Sequence, residues 1–365
     1  RQEFVGAGPL DELLRDPRTT DVLVCGPRAV WVDRGRGLEP AGVRFEDEAA
    51  VRRLAQRLAL AAGRRLDDAS PYVDGWLAES GVRLHAVLPP VAADGTCLSL
   101  RVLRPAAHDL PALRALGTVD AGGEAVLRAM LAARLAFLVS GGTGTGKTTI
   151  LGALLTAVDP RERIVCVEDA QELNPRHPHV VRLVARPANI EGAGGVALRD
   201  LVRQALRMRP DRCSVGEVRG DEILPMLYAM TQGNDGSMCT IHADSAAGVF
   251  ERIAMYAVAA PEHLEPRHTA RLVAQALQLI VHVENDGGQR FVSSVLEVRG
   301  GGEDGGIATN EVCVPGPDGR AVFANPFSPR TLARLARVGW QPHHARTNGA
   351  RPAGAASPNG RGRPR

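Results

Sequence analysis

Lysine is almost missing from this chain of 365 residues: Lys147 is the single one among 44 basic residues, and the other 43 are arginine. Aromatic residues are also scarce, at 4% of the composition. Proteins that bind single-stranded nucleic acid stack its bases on aromatic side chains set among basic ones. Because no aromatic residue interleaves a basic cluster here, the composition argues against direct nucleic-acid binding.

The six cysteines do not form the spacings of known cysteine motifs. They stand at positions 25, 97, 166, 213, 239 and 313, and no two make a CxxC pair. This pattern disfavours a zinc or redox motif. Cys166, Cys213 and Cys239 fall in apolar, strand-like runs, which predicts small buried residues in a reducing compartment.

Long apolar runs are absent as well. The most apolar stretch, 125–139, is interrupted by Arg128 and Arg134, so no run of 18 apolar residues predicts a transmembrane helix. No signal-peptide pattern is visible either. We therefore expect a cytoplasmic protein without a membrane-spanning segment.

The net charge is small, +3 at pH 7, and it is unevenly spread. Residues 341–365 contain five arginines and no acid, among many glycines and prolines. This composition predicts a disordered basic tail. The rest of the chain is close to neutral, which again gives no support to a nucleic-acid-binding body.

One stretch carries a specific chemical signal, the P-loop pattern G-x-x-x-x-G-K-[ST]. Its nine residues are Gly141, Gly142, Thr143, Gly144, Thr145, Gly146, Lys147, Thr148 and Thr149. Glycines allow the backbone to turn so that several N–H groups point at one phosphate, and the helix that follows adds its positive end. Lys147 suits the β- and γ-phosphates, and the Thr148 hydroxyl suits Mg²⁺. An apolar run at 135–139 and helical spacing after the loop supply the required strand and helix. The P-loop thus predicts a bound nucleotide, ATP or GTP, together with Mg²⁺.

Strands and helices alternate from the P-loop onward, which favours an α/β fold with a mostly parallel central sheet. A smaller α+β domain precedes it. We predict an N-terminal domain over 1–107, a linker over 108–118, the P-loop domain over 119–285, C-terminal strands and a short helix over 286–340, and the tail over 341–365. We also expect a long loop over 174–195, and a helix after residue 242 that Asp244 or Ser245 caps.

Acids stand where two predicted strands end. Glu168 and Asp169 follow the run 164–167, and Glu217 follows 213–216. In P-loop ATPases, the residues that hold Mg²⁺ and activate water lie at such strand ends. The alternative for either acid is a surface salt bridge, which contributes little stability. Beside a P-loop we favour the role in hydrolysis.

Further candidates are a histidine and three arginines. His242 ends the run 238–242, where it is placed to contact a γ-phosphate, although a structural role is the alternative. Phosphoryl transfer also uses arginines that neutralise charge in the transition state. Arg101 and Arg104 on a strand of the first domain, and Arg219 next to Glu217, are the candidates.

Four segments in this order resemble the secretion ATPase superfamily of type II and type IV machines. They are the P-loop at 141–149, an Asp box at 164–173 (IVCVEDAQEL), a Walker B segment at 208–220 (MRPDRCSVGEVRG) and a His box at 233–245 (GNDGSMCTIHADS). The segment 182–192 looks most similar to the CpaF-like ATPases of Tad/Flp pilus assembly, whose actinobacterial members are often described as associated with conjugal transfer. One departure is Asn234, where many relatives have His.

The resemblance implies a RecA-like motor domain, a homohexameric ring, a mobile linker, ATP bound at the junction of the two domains, and partners in a membrane platform. It further implies that Glu168 is the general base, that Glu217 lies near Mg²⁺ together with Thr148, and that His242 is the His-box residue. Arg101 and Arg104 would then reach the γ-phosphate.

The sequence leaves two alternatives to an ATP-driven secretion or pilus motor. One is a nucleic-acid translocase with the same core, which the scarcity of aromatic residues disfavours. The other is a nucleotide-gated scaffold with little turnover, which the presence of both Glu168 and Glu217 disfavours.

Overall fold

The structure is a computed structural model, and it describes residues 6–77, 80–102, 109–186, 188, 193–301, 306–317 and 319–342. Arg104 and residue 108 of the predicted linker lie outside these residues, as does the tail from 343 onward. The rest of the predicted linker, 109–118, is described and contains a short helix over Leu110–Ala115.

The N-terminal part forms a six-stranded antiparallel sheet in the order β3-β2-β1-β6-β5-β4. Its strands and helices are α1 (Asp11–Arg15), β1 (Asp21–Cys25), β2 (Ala29–Asp33), β3 (Leu38–Pro40), α2 (Glu48–Ala61), β4 (Tyr72–Leu77), β5 (Val82–Val87) and β6 (Cys97–Val102). Buried residues alternate along β1 and β5 because one face of the sheet packs on α2. Arg101 lies on β6, as expected for a strand of the first domain, and β6 pairs antiparallel with β5.

The second sheet has nine strands in the order β15-β14-β13-β12-β7-β11-β10-β8-β9. The strands are β7 (Phe137–Gly141), β8 (Ile164–Glu168), β9 (Val180–Val184), β10 (Arg212–Val218), β11 (Met238–His242), β12 (Leu279–Asp286), β13 (Gln289–Gly301), β14 (Ile307–Pro315) and β15 (Ala321–Phe323). The six strands from β12 to β9 pair in parallel, and the β12–β15 meander is antiparallel. The expected α/β fold with a mostly parallel sheet is confirmed.

Helices cover both faces of this sheet. They are α3 (Leu110–Ala115), α4 (Ala121–Ala132), α5 (Lys147–Thr156), α6 (Leu198–Leu206), α7 (Ile223–Thr231), α8 (Gly248–Ala259), α9 (Pro266–Ala276) and α10 (Pro329–Arg337). Successive residues of β7 enter two different hydrophobic cores: Phe137 and Val139 pack with α4 and α5, and Leu138 packs with α6 to α9. This double burial explains why the parallel strands are continuous apolar runs.

Parallel pairing also fixes the functional edge. β7, β11, β10 and β8 are neighbours that run in one direction, so their carboxyl ends meet at the same edge of the sheet. The P-loop follows β7, and Glu168, Glu217 and His242 lie at or near the ends of β8, β10 and β11. In open α/β sheets this edge is where ligands bind.

Two local expectations were wrong. The loop predicted over 174–195 contains β9, an edge strand whose parallel ladder with β8 cannot be seen in a local sequence window. The helix after His242 begins at Gly248 with Ala247 as its N-cap, not Asp244 or Ser245. The Ser245 hydroxyl still accepts a hydrogen bond from the Gly248 N–H at 3.0 Å. In the described part of the chain, no helix combines the length and apolar character needed to cross a membrane.

Candidate functional site

The P-loop adopts a backbone that only glycine accommodates at its two ends. Gly141 has φ +157°, and a Cβ there would lie 2.4 Å from the carbonyl oxygen of Val283. Gly146 has φ +94° and is the N-cap of α5. The Thr145 hydroxyl donates to the Gly142 carbonyl at 3.0 Å and braces the turn. The loop therefore delivers the N-terminus of α5, with its unpaired N–H groups, to the sheet edge.

Lys147 lies within this loop rather than in solvent. Its Nζ donates to the carbonyl oxygens of Gly141 at 3.0 Å and Gly142 at 2.7 Å, and it lies 4.0 Å from Glu217 Oε1. Burial lowers the pKa of the ammonium group, an effect that Glu217 opposes. A cation held by weak carbonyl partners is well placed to exchange them for phosphate oxygens.

Glu217 owes its position to a bulge in β10. Val215 pairs with Cys239 and Val218 with Ile241, so β10 holds one extra residue between those pairs. The Thr240 hydroxyl fastens the bulge by donating to the Gly216 carbonyl at 2.6 Å. Gly216, which stands between the run 213–215 and Glu217, is thus part of the bulge. The bulge orients the Glu217 side chain, since bulges redirect side chains beside active sites.

Arg219 and His242 differ in their relation to this site. Arg219 Nε donates to Glu217 Oε2 at 2.8 Å, and Arg219 lines the cleft described below. His242 pairs with Gly141 across β11 and β7, with its Nε2 3.9 Å from Asp244 Oδ1. It is not among the residues that line the cleft.

The carboxylate of Glu168 is held by its own loop. The side chain is buried, with 3% exposure, and Oε1 accepts hydrogen bonds from the N–H groups of Glu172 at 3.0 Å and Leu173 at 2.8 Å. It also packs against Gly216, where a Cβ would lie 2.9 Å from Glu168 Cγ. Burial raises the pKa of Glu168 to about 7, and the two N–H donors oppose the shift. Glu168 therefore shapes the loop that carries Glu172 and the bulge that carries Glu217.

Glu172 is the acid that sequence reasoning missed. It lines the cleft together with Lys147, Thr148 and Glu217. Burial raises its pKa, and the nearby Glu217 raises it further. The available signal was its place in the Asp box, four residues after Glu168, where a turn returns the chain to the P-loop.

The N-terminal sheet contributes arginines to the opposite wall. Arg101 lines the cleft, and its Nε donates to Asp21 Oδ1 at 2.9 Å. Arg83, which is opposite Arg101 in the β5–β6 register, lines the recess beside Glu172 and is held by Asp74. Arg83 was not foreseen. Arg104, the other predicted arginine, lies outside the described residues.

A third arginine, Arg290, comes from a segment far from the P-loop in sequence. Arg290 follows the tight β12–β13 turn, and its Nε donates to the Gly144 carbonyl of the P-loop at 3.2 Å. Its Cδ lies 3.1 Å from where a Gly146 Cβ would be. No local pattern marks it, because the contact joins residues 146 positions apart.

Most of these residues line one open cleft with a cavity volume of about 320 Å³. That volume lies at the lower end of the range of about 300–1000 Å³ for pockets that bind small molecules. Lys147, Arg101, Arg219 and Arg290 make the lining of this cleft cationic from both walls, which suits phosphate groups. Thr148, Glu172 and Glu217 offer oxygen ligands of the kind that Mg²⁺ prefers. This donor set fits Mg²⁺.

A family model described as type II/IV secretion system protein matches residues 3–321. The chain belongs to this family. Among curated relatives, Rv3659c of Mycobacterium tuberculosis strain H37Rv, named provisionally as a conjugal transfer protein, is 57% identical over 303 residues, 81% of this chain and 86% of that protein. VirB11 of Agrobacterium fabrum is 32% identical over 306 residues, 75% of this chain and 87% of that protein.

Solved structures with a similar fold include an ATPase and a pilus motor. Legionella pneumophila DotB is 16% identical with a TM-score of 0.54, over 83% of this chain and 78% of DotB. The pilus retraction motor PilT with bound ADP is 17% identical with a TM-score of 0.54, over 92% of this chain and 88% of PilT. At these identities the likeness shows the fold alone. The narrower CpaF-like placement, the domain boundaries and the roles of the site residues stay predictions.

Proposed function

We propose that this protein is the ATP-hydrolysing motor of a type IV secretion or pilus-assembly machine. The observation that carries the proposal is the shared cleft: the P-loop, Glu172 and Glu217 form one wall, and arginines of the N-terminal sheet form the other. A nucleotide bound there would touch both domains, so its hydrolysis would change how they sit together.

The P-loop side binds and orients the phosphates. Backbone N–H groups at the start of α5 and the Lys147 ammonium would contact the β- and γ-phosphates. Thr148 and Glu217 would hold Mg²⁺, Glu217 partly through water. When bound, Mg²⁺ supplies charge neutralisation on the phosphates.

Glu172 is the residue we propose as general base, in place of Glu168. A base must reach the attacking water. Glu172 lines the main cleft beside the P-loop, whereas Glu168 lines only the adjoining recess and its carboxylate is held by the N–H groups of its own loop, with 3% exposure. The raised pKa of Glu172 makes it a better proton acceptor near neutral pH. Glu168 keeps an indirect role, because its hydrogen bonds hold the Glu172 backbone.

Arg101 and Arg83 are the residues we propose to reach the γ-phosphate from the N-terminal sheet. Each is now bound to an acid of its own sheet, Asp21 or Asp74. A phosphate competes well for guanidinium groups, since charge-assisted hydrogen bonds to it are strong. Arg290 would add a cation beside the P-loop.

We further propose a homohexameric ring that acts with membrane-platform proteins at the inner face of the cell membrane. Support comes from the family and from the names of relatives, including VirB11 and the Bordetella pertussis type IV secretion system protein PtlH. A CpaF-like pilus role is the narrower form of this proposal.

Phosphate release from ATP by the full chain, with and without Lys147→Ala, tests the proposal. We expect turnover in the wild type and a loss of at least about 100-fold in the variant, because the P-loop lysine stabilises charge on the transferred group. A wild type that binds ATP without turnover would instead indicate a gated scaffold. Strong stimulation by single-stranded DNA would favour the translocase.

A further inference from the structure

Two of the six cysteines face each other in the N-terminal sheet. Cys25 ends β1 and Cys97 begins β6, and the antiparallel register places them directly opposite. Cys25 is exposed and Cys97 is half-buried, whereas the other four cysteines are buried in the second sheet. Only the fold brings these two together, since 71 residues separate them in sequence.

The register gives this pair the geometry of a cross-strand disulfide. The Gly26 N–H donates to the Thr96 carbonyl at 3.0 Å, and the Val102 N–H donates to the Thr20 carbonyl at 2.8 Å. Hydrogen-bonded pairs alternate along an antiparallel ladder, so the cysteines occupy a non-hydrogen-bonded position, where Cα atoms are about 4.5 Å apart. Disulfides span Cα separations of about 4.4–6.8 Å. The Cα separation expected from this register therefore falls within the range that a disulfide spans.

The two thiols differ in their surroundings. The Cys97 thiol donates to the Gly95 carbonyl at 3.6 Å, and Cys25 is more exposed than Cys97. Burial raises the pKa of Cys97, and Glu48 and Asp94 add to the shift. Cys25 is the exposed partner, so it is the one that an oxidant meets first.

We propose that Cys25 and Cys97 are a reversible disulfide site, closed by a small-molecule disulfide such as oxidised glutathione. The Cys25 thiolate attacks one sulfur of the oxidant and releases one glutathione thiolate. Cys97 then loses its proton, attacks the Cys25 sulfur and releases the second glutathione. Two protein thiols are oxidised, two protons leave, and one oxidant disulfide becomes two thiols.

The bond would lock the central strand pair of the N-terminal sheet. β1 and β6 are the middle strands of the order β3-β2-β1-β6-β5-β4. At the other end of the same pair, Asp21 lies opposite Arg101. Closing a long loop restricts the unfolded chain, which stabilises the folded domain.

Peptide mapping tests the site in the full chain. The wild type is incubated with oxidised glutathione, its remaining thiols are blocked, and trypsin is added without reductant. Cleavage after arginine places Cys25 in the peptide 19–28 and Cys97 in 84–101. We expect these two peptides to appear cross-linked, and to separate after reduction. A wild type that carries only glutathione adducts, or six unchanged thiols, would overturn the proposal.

Two variants sharpen the result. Cys97→Ser should stop at a glutathione adduct on Cys25, whereas Cys313→Ser should still form the cross-link. Oxidation should raise the unfolding temperature of the wild type and of Cys313→Ser by several degrees, and reduction should reverse the rise. An equal rise in Cys97→Ser would contradict an intramolecular bond.

Discussion

The two walls of the nucleotide cleft differ in how firmly their charged side chains are held. On the P-loop wall, Lys147 and Glu168 are buried, with 8% and 3% exposure, and their partners are mainly backbone groups. On the N-terminal wall, the side chains of Arg101 and Arg83 are 56% and 38% exposed, and their partners are single carboxylates. On the P-loop wall these two side chains are buried and bound to backbone groups. On the N-terminal wall the two arginines are held by ion pairs at the surface.

This difference indicates a division of labour. Buried groups fixed by backbone bonds keep their geometry through a cycle, which suits the chemical step. Exposed ion pairs contribute little stability and exchange partners easily, which suits a wall that closes on ATP and opens after hydrolysis. We call the P-loop side, with Lys147 and Glu168, the fixed wall, and the N-terminal side, with Arg83 and Arg101, the adjustable wall.

The largest effect is expected from Glu217→Gln on the fixed wall. The change removes a proposed Mg²⁺ ligand and the acid that accepts from Arg219, so we expect kcat to fall by about 100-fold or more. Steady-state phosphate release measures it, and Glu265→Gln, at an exposed glutamate on another face, is the matched control. Near-normal turnover would show that Glu217 is not needed for hydrolysis.

A smaller loss is expected from Arg101→Gln or Arg83→Gln on the adjustable wall. Each removes one cation near the γ-phosphate, and we expect kcat to fall by about 10-fold, short of the full effect of an arginine finger. The wild-type advantage should shrink as salt is raised, because exposed charges are screened. Arg52→Gln, which breaks an ion pair on α2 away from the cleft, should leave turnover unchanged; equal losses in all three would point to a general effect on the sheet.

Glu168→Gln should change how the free energy of unfolding depends on pH, and it should have a smaller effect on ATP turnover. The pKa of Glu168 in the folded protein is about 7 against an ordinary 4.5, so the folded state binds the extra proton between these values. Stability from this group is therefore present below pH 4.5 and is lost as pH rises through 7, by up to about 3 kcal/mol. Denaturant unfolding at pH 5 and pH 8 should show this loss in the wild type and not in Glu168→Gln. Equal pH slopes would contradict it.

The sequence predicted the parts of the site that are local in the chain. The P-loop, the strand before it and the acids at 168 and 217 follow from residues that are close in sequence. Local patterns could not decide which acid faces the cleft. That depends on the turn in which Glu168 binds the N–H groups of Glu172 and Leu173.

The residues that sequence reasoning missed are brought in by pairing between distant segments. Arg83 reaches the site because β4, β5 and β6 form one sheet, and Arg290 because β12 lies beside β7. β9 was taken for a loop for the same reason, since its partner β8 is what makes it a strand. The cysteine pair also depends on the β1–β6 register rather than on any spacing.

The most direct test of the fixed wall is ATP turnover in Glu172→Gln and Glu168→Gln, measured side by side at pH 7.5. We predict that Glu172→Gln keeps nucleotide binding and loses about 100-fold or more in kcat, as expected for a general base. Glu168→Gln, which retains an oxygen for the two N–H groups, should stay within a few-fold of the wild type. Full turnover in Glu172→Gln, with a folded but inactive Glu168→Gln, would contradict the account.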